Sequence, residues 1–231
     1  MENKKYIRKI LFALLILGIL GCGLWYGWQY VKANDPQIKQ VKIFATYEHL
    51  EKNSIQKIVT SHLNQGFFHL NTTRLKQELL KLPWVYAVSI KREWPNSIKI
   101  NIAEQNAILQ WGKTALFNPE GQIFSPPPAT FPRDLPVIFG PEEKQAEIFS
   151  LYQKMLAVLF PLDLSLSSLT LNHDHYWELI LSTNTIIYLK EEQPIEQLEL
   201  LTNIYRKITA DRDQEPKSID LRYQTGLAVR W

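Results

Sequence analysis

The sequence holds one cysteine, Cys22, so no disulfide can form within the chain and its stability has to come from burial. An excess of charge is missing from most of its length. Four of the 26 basic residues (Lys4, Lys5, Arg8, Lys9) and one of the 23 acidic residues (Glu2) fall within 1–9, which leaves 22 of each for the remainder. A neutral body offers no electrostatic footprint for nucleic acid. Catalytic signatures are missing as well: there is no G-x-S-x-G, H-E-x-x-H, P-loop or dinucleotide fingerprint. Of the five histidines (His49, His62, His69, His173, His175), only the last two cluster. They flank Asp174 between two expected strands without a third ligand at a recognisable spacing, so an exposed turn is expected and no metal or other cofactor. Cys22 lies in an apolar run, away from any ectodomain chemistry. Glu142, Glu143, Glu191 and Glu192 sit at the ends of expected elements, where solvated charges are the simplest reading.

That apolar run is the first positive feature. Residues 10–31 carry no charge and are bounded by Lys9 and Lys32. As a helix the run extends about 33 Å, against a bilayer hydrocarbon core of about 30 Å. Trp25, Tyr26, Trp28 and Tyr30 crowd its C-terminal end, in the manner of an interfacial aromatic belt. The basic cluster ahead of it places residues 1–9 in the cytoplasm and the body of the chain outside. A cleaved signal peptide competes with this reading, but the run exceeds the usual apolar length of about 7–15 residues and no small-x-small site leads into a polar start. A lipoprotein signal competes too, since residues 19–22 loosely form a lipobox. There Leu20 is bulky where a small residue is usual, and the residues after Cys22 stay apolar. An uncleaved single-pass transmembrane helix is therefore expected.

Beyond the run, residues 38–45 form a first expected strand. A helix capped by Asn53 or Ser54 carries Ile55, Ile58, Val59, His62 and Leu63 on one face, with Gly66 placed to end it. A second helix, capped by Asn71 or Thr72, carries Leu75, Leu79 and Leu82 and stops at Pro83. Trp84, Tyr86, Val88 and Ile90 then alternate, residues 94–97 turn, and Ile98, Ile100 and Ile102 alternate strictly. The order β-α-α-β-β makes a small α+β unit over 38–105, in which Trp84 and Trp94 are expected as core aromatics. The second unit, 106–231, reads as short strands at 108–111, 116–117, 122–124 and 135–139. A helix opened by Pro141 carries Ile148, Tyr152, Met155 and Leu159, and strands at 169–171, 177–181 and 186–189 follow. Pro194 then opens a helix with Leu198, Leu201 and Tyr205 on one face. A mostly antiparallel sheet flanked by two helices is the expectation.

The chain closes on 218–231, where Ile219, Leu221 and Tyr223 alternate before the break 224–226, and Leu227, Val229 and Trp231 after it. Such a segment is either the last stave of a closed core or an edge whose unpaired N–H and C=O groups can receive another chain.

Strand-helix-helix-strand-strand after one span resembles a POTRA domain, a protein-contact module. The residues Leu82-Pro83-Trp84-Val85, then Val88-Ser89-Ile90-Lys91-Arg92-Glu93-Trp94-Pro95, then Ile98-Lys99-Ile100, resemble the POTRA domain of the FtsQ/DivIB family of bacterial division proteins. The likeness continues through the Asn118–Phe124 turn and Gly140-Pro141. It is most specific at Asp220-Leu221-Arg222-Tyr223, Gly226, Ala228-Val229 and Trp231. It implies a non-enzymatic scaffold of the inner membrane at the division septum, with a cytoplasmic N-terminus and periplasmic domains, linking early and late divisome proteins. It further implies binding of FtsB and FtsL, the former by strand addition at the last strands. The matching contact residues would be Arg222, Tyr223, Thr225, Gly226 and Trp231. On the second POTRA strand, Ala87, Ile90 and Arg92 match positions that face FtsK, and Ala87 departs from the expected residue type. Arg230 also departs, standing where a small residue is expected. Taken on their own, Tyr223 and Trp231 are equally readable as core closure. Two rival classes compete with this reading: a membrane-anchored periplasmic enzyme, against which the missing catalytic constellation stands, and a POTRA-bearing assembly factor, which would precede a membrane β-barrel richer in strands than 106–231.

Overall fold

The computed structural model of the chain describes residues 2–33, 35–210, 212, 214–223 and 226–231, and divides into two compact units, 1–104 and 105–231. The first unit opens with α1 (Glu2–Ala33), which runs through the uncharged stretch. Among the described residues no helix is long and apolar enough to cross a membrane.

The rest of the first unit is β1 (Gln40–Phe44), α2 (Lys52–Leu63), α3 (Thr72–Leu79), β2 (Val85–Glu93) and β3 (Ser97–Glu104). Its sheet has the order β1-β3-β2, with β1 parallel and β2 antiparallel to β3. Ile98, Ile100 and Ile102 are buried, as their strict alternation requires of a strand paired on both sides. Ile55 and Val59 of α2 and Leu75 and Leu79 of α3 are buried in the same unit. Asn71 caps α3 by accepting from the Arg74 N–H at 2.9 Å. The start of α2 differs from expectation: Glu51, not Asn53 or Ser54, is its cap residue, and no side chain caps the backbone there. Its end differs too, since Asn64 is the cap and Gly66 lies two residues further on, at φ +81. Leu82 and Pro83 fall past the end of α3, which closes at Leu79.

The alternation expected through β2 is broken. The pairing with β3 shifts between Val85 and Ala87, so one extra residue is accommodated there. Val85 and Val88 are buried while Tyr86 turns outward. Of the two expected core tryptophans, Trp84 is buried and stacked on His49 with ring centroids 3.9 Å apart. Trp94 is 73% exposed, because it falls in the β2–β3 turn and not on a paired strand.

The second unit is a nine-stranded sheet carrying two helices. Its strands are β4 (Leu109–Trp111), β5 (Ala115–Phe117), β6 (Ile123–Phe124), β7 (Val137–Phe139), β8 (Leu166–Leu171), β9 (Tyr176–Leu181), β10 (Ile186–Lys190), β11 (Ser218–Asp220) and β12 (Ala228–Arg230). The helices are α4 (Gln145–Leu159) and α5 (Pro194–Thr209). The strand order is β12-β11-β10-β9-β8-β7-β4-β5-β6. The sheet is mixed: β4–β7, β7–β8 and β10–β11 are parallel and the other five pairs antiparallel. Two of the parallel pairs are joined through a helix, since a parallel neighbour needs a crossover; α4 joins β7 to β8 and α5 joins β10 to β11. One sheet face is apolar. Trp177, Leu179 and Leu181 of β9, Ile187 and Leu189 of β10 and Ile219 of β11 are buried with Ile148, Tyr152 and Met155 of α4 and Leu198, Leu201 and Tyr205 of α5. At the far end, Asn118 is buried and holds its own turn, accepting from the Gln122 N–H at 2.8 Å. Gly121 closes that turn at φ +76, and a Cβ there would press on the Phe149 ring.

Candidate functional site

The last strands are placed by α5. Its buried face packs on the sheet, and Tyr205 reaches past the helix end to donate its hydroxyl to Glu215 at 2.6 Å. Burial, then the Glu215 carboxylate, push that phenol well above the ordinary tyrosine range. The chain then enters β11 beside β10, where Ile219 is fully buried opposite Ile187 on one side and Val229 on the other. The Leu221 N–H continues the ladder to Tyr188 O at 2.9 Å. Further along the chain, β12 lies antiparallel to β11. The segment 218–231 is therefore a hairpin of two short strands. Among the described residues β12 has β11 alone beside it, so its outer side presents backbone groups without a strand partner.

The side chains around this edge are arranged in three groups. Val229 turns toward the core, while Ala228 and Arg230 are exposed. Trp231 is half-buried beneath the Arg212 guanidinium, 4.7 Å from the ring centroid, and its carbonyl accepts from Lys217 Nζ at 2.8 Å. Tyr223 is 60% exposed and lines a groove of 610 Å³ with Leu200 and Ile204 of α5, Leu221, Gly226 and Leu227. The ambiguity over the two aromatics is thus resolved differently for each: Tyr223 does not close the core, and Trp231 is partly sheltered. Gly226 is exposed, and a Cβ there would meet nothing within 4 Å, so the domain's own packing does not require a glycine. Thr225 lies outside the described residues.

Arg222 is not a loose surface charge. It lies on the sheet face opposite the helices, where Asp220 binds it through Nε–Oδ1 and Nη2–Oδ2 at 2.9 and 2.7 Å. Its guanidinium also sits 4.7 Å from the Tyr176 ring centroid and 5.2 Å from that of Tyr188. The Arg222 hydrogen bonds hold the Asp220 carboxyl below its ordinary range, and Asp220 in turn raises Arg222. Burial, followed by Glu178, raises the Tyr188 phenol. Sequence reading named Arg222 but missed this cage. Asp220 was findable, since a residue two positions away on a strand shares its face; Tyr176 and Tyr188 come from other strands.

The positions on β2 share an edge strand but not a face. Val88, Ile90 and Arg92 stand opposite Ile102, Ile100 and Ile98 on the helix side, while Ala87 stands opposite Ala103 and is exposed. Arg92 is committed internally, donating to Phe67 O at 3.0 Å and Leu70 O at 2.7 Å.

The histidine pair falls in the β8–β9 turn, where His175 has φ 56 and its Nδ1 lies 2.7 Å from Glu191. Lys144 also binds Glu191, at 2.8 Å; Lys144 first and then His175 hold that carboxyl below its usual range. Among the described residues no three His, Cys, Asp or Glu side chains are grouped as metal ligands.

A β-α-α-β-β unit followed by a mixed sheet-and-helix domain with an open terminal edge is the architecture of a POTRA-bearing protein with a second, β-rich domain. The family model described as "POTRA domain, FtsQ-type" matches residues 37–105, and "Cell division protein FtsQ/DivIB, C-terminal" matches 107–222, ending just short of Tyr223 and β12. The chain is 32% identical to the cell division protein FtsQ of Coxiella burnetii, over 100% of this chain and 95% of that protein. It is 29% identical to FtsQ of Methylomonas methanica (97% and 90% covered) and 28% identical to FtsQ of Shewanella oneidensis (95% and 84%). The chain belongs to the FtsQ/DivIB family of cell division proteins.

Proposed function

We propose that the protein is a non-enzymatic scaffold of the divisome, held in the inner membrane at the septum by residues 10–31 as a single-pass helix. Its N-terminus is cytoplasmic, and its POTRA domain (38–105) and C-terminal domain (106–231) are periplasmic. The uncharged run between Lys9 and Lys32, with its preceding basic cluster, supports the anchor and its orientation. The scaffold captures FtsB, and with it FtsL, by adding a strand to β12. The observation that carries this reading is the outer side of β12, which has no strand partner among the described residues, next to a 60% exposed Tyr223. Backbone pairing supplies affinity there and the flanking groove fixes register. Tyr223, Trp231 and Arg222 supply side-chain contacts, and the open space at Gly226 admits close approach. Thr225 stands next to Gly226 in the sequence and is proposed as a further contact. The second edge strand, β2, is the contact for FtsK, through Ala87 on the open face; Ile90 and Arg92 hold the strand in shape. Capture of a purified FtsB–FtsL pair tests the main claim. Tyr223→Glu and Trp231→Ala should each abolish capture while the melting temperature is kept. Undiminished capture by both variants would refute strand addition at this edge.

A further inference from the structure

Trp94 is a large apolar side chain left in the open, and the informative departure in a folded domain is an exposed apolar patch. Its indole is not isolated. It packs edge-on against Phe67 and Phe68, with centroids 5.7 and 5.4 Å away, Phe67 being fully buried and Phe68 half-buried. The patch is thus a rigid aromatic platform and not a dangling side chain.

The platform is tied to the residues that follow α1. The Phe67 N–H donates to Pro36 O at 2.9 Å. The Phe68 N–H donates to Asp35 Oδ1 at 2.7 Å, and the His69 N–H and Nδ1–H to Asp35 Oδ2 at 3.1 and 2.7 Å. On the other side, the Lys39 N–H donates to Asn96 O at 2.9 Å, fixing the turn that carries Trp94. The aromatic patch is therefore pinned to residues 35–39.

Chain length then limits how far the patch can stand from a membrane. From Val31 to Ala33 the helix rises about 3 Å. Two more residues reach Asp35 and add at most about 7 Å. The reading that 10–31 span the bilayer, on which this inference rests, puts Asp35 at most about 10 Å past the hydrocarbon edge, in or directly beside a headgroup layer on the order of 6 Å deep on each side. Tryptophan favours that layer because its ring is apolar and its N–H needs a polar partner. Exposed Lys39, beside the turn, supplies the cation that lipid phosphates favour. Trp25, Tyr26, Trp28 and Tyr30 already mark the same end of the anchor.

We propose that Trp94, with Phe68 and a rim of Lys39, seats the POTRA domain on the lipid headgroups around its own anchor. A second attachment of this kind restrains rotation of the domain about the helix, and so sets how the β2 edge stands over the membrane.

The test uses the full chain in vesicles, with Cys22→Ala and Trp94→Cys carrying an environment-sensitive fluorophore. The expected result is a blue-shifted emission, quenching by headgroup-bound spin labels, and protection from quenching by aqueous iodide. Lys39→Cys, labelled likewise, keeps the test valid should Trp94→Cys unsettle the aromatic platform. Leu15→Cys, quenched by spin labels on the acyl chains, reports the anchor separately. Lipid quenching at 15 with free iodide access at 94 and 39 overturns the proposal and leaves the anchor standing. Protection from iodide without lipid quenching also overturns it, since a protein then covers the patch. Absence of lipid quenching at 15 overturns the anchor reading itself.

Discussion

Asp220 grips the guanidinium of Arg222 two residues along the chain, through contacts of 2.9 and 2.7 Å, and also accepts from the Arg222 N–H at 3.0 Å. The clasp turns Arg222 onto the rings of Tyr176 and Tyr188, so a charge expected to serve a partner is presented from a fixed position. A preorganised guanidinium loses less side-chain freedom on binding than a loose one.

Asp220→Asn should reduce stability by about 1 kcal/mol or less, the scale of partly exposed ion pairs. It should weaken partner capture more, by releasing Arg222. The pH dependence follows from the sign of the shift. Asp220 is held below its ordinary 3.8, chiefly by the Arg222 hydrogen bonds against an opposing effect of burial. A carboxyl so depressed stabilises the fold above its unfolded value, and the contribution is lost as pH falls through the folded one. Urea titrations should therefore separate wild type from Asp220→Asn at neutral pH and converge in strong acid, well below 3.8.

Ile219 and Tyr223 should behave in opposite ways. Ile219 is fully buried between β10 and β12, and Ile219→Ala should cost about 2–5 kcal/mol in chemical unfolding. Tyr223 is 60% exposed, so Tyr223→Ala should shift the unfolding midpoint little while costing about 2 kcal/mol or more of partner binding by calorimetry. A large stability loss in Tyr223→Ala would return this residue to the core.

Gly66→Ala should destabilise the POTRA domain by more than about 1 kcal/mol, since an L side chain is strained at positive φ. The φ is +81, and the added Cβ would collide with the Asp35 carboxylate. Burial acts to raise the Asp35 pKa, but hydrogen bonds from Phe68 and His69 outweigh it and hold the group below its ordinary value. Displacing that carboxylate should expose the 67–69 backbone amides, seen as faster hydrogen exchange at Phe68 and His69.

Tyr205→Phe removes the hydroxyl that anchors Glu215 ahead of β11. A loss of about 0.5–1.5 kcal/mol is expected in thermal or urea unfolding, as for one ordinary hydrogen bond. Lowered exchange protection at residues 218–220 should accompany it if the bond sets the hairpin.

Local regularity was what could be read without coordinates. The Ile98, Ile100, Ile102 alternation, the Asn71 cap, Pro194 in the first turn of α5 and the tight turn at Asn118 each depend on neighbours a few residues away, and each was found where the pattern placed it. Tyr86 and Trp94 were misplaced for a shared reason. A bulge and a turn change which way a side chain faces without changing the apolar pattern. The β10–β11 pairing was equally hidden, because neither strand's composition says which strand will lie beside it.

The terminal segment shows the same division. Its residues, by themselves, determined the alternation of Ile219 and Val229 toward a core and the likeness to the FtsQ/DivIB family, since both reside in the order of side chains. Only the tertiary structure decided that 218–231 folds back as a hairpin, that Trp231 shelters under Arg212 while Tyr223 stands in the open, and that Asp220, Tyr176 and Tyr188 converge on Arg222. Those outcomes depend on contacts between strands brought side by side by α5, and the free energy of such contacts exists only once the chain has closed on itself.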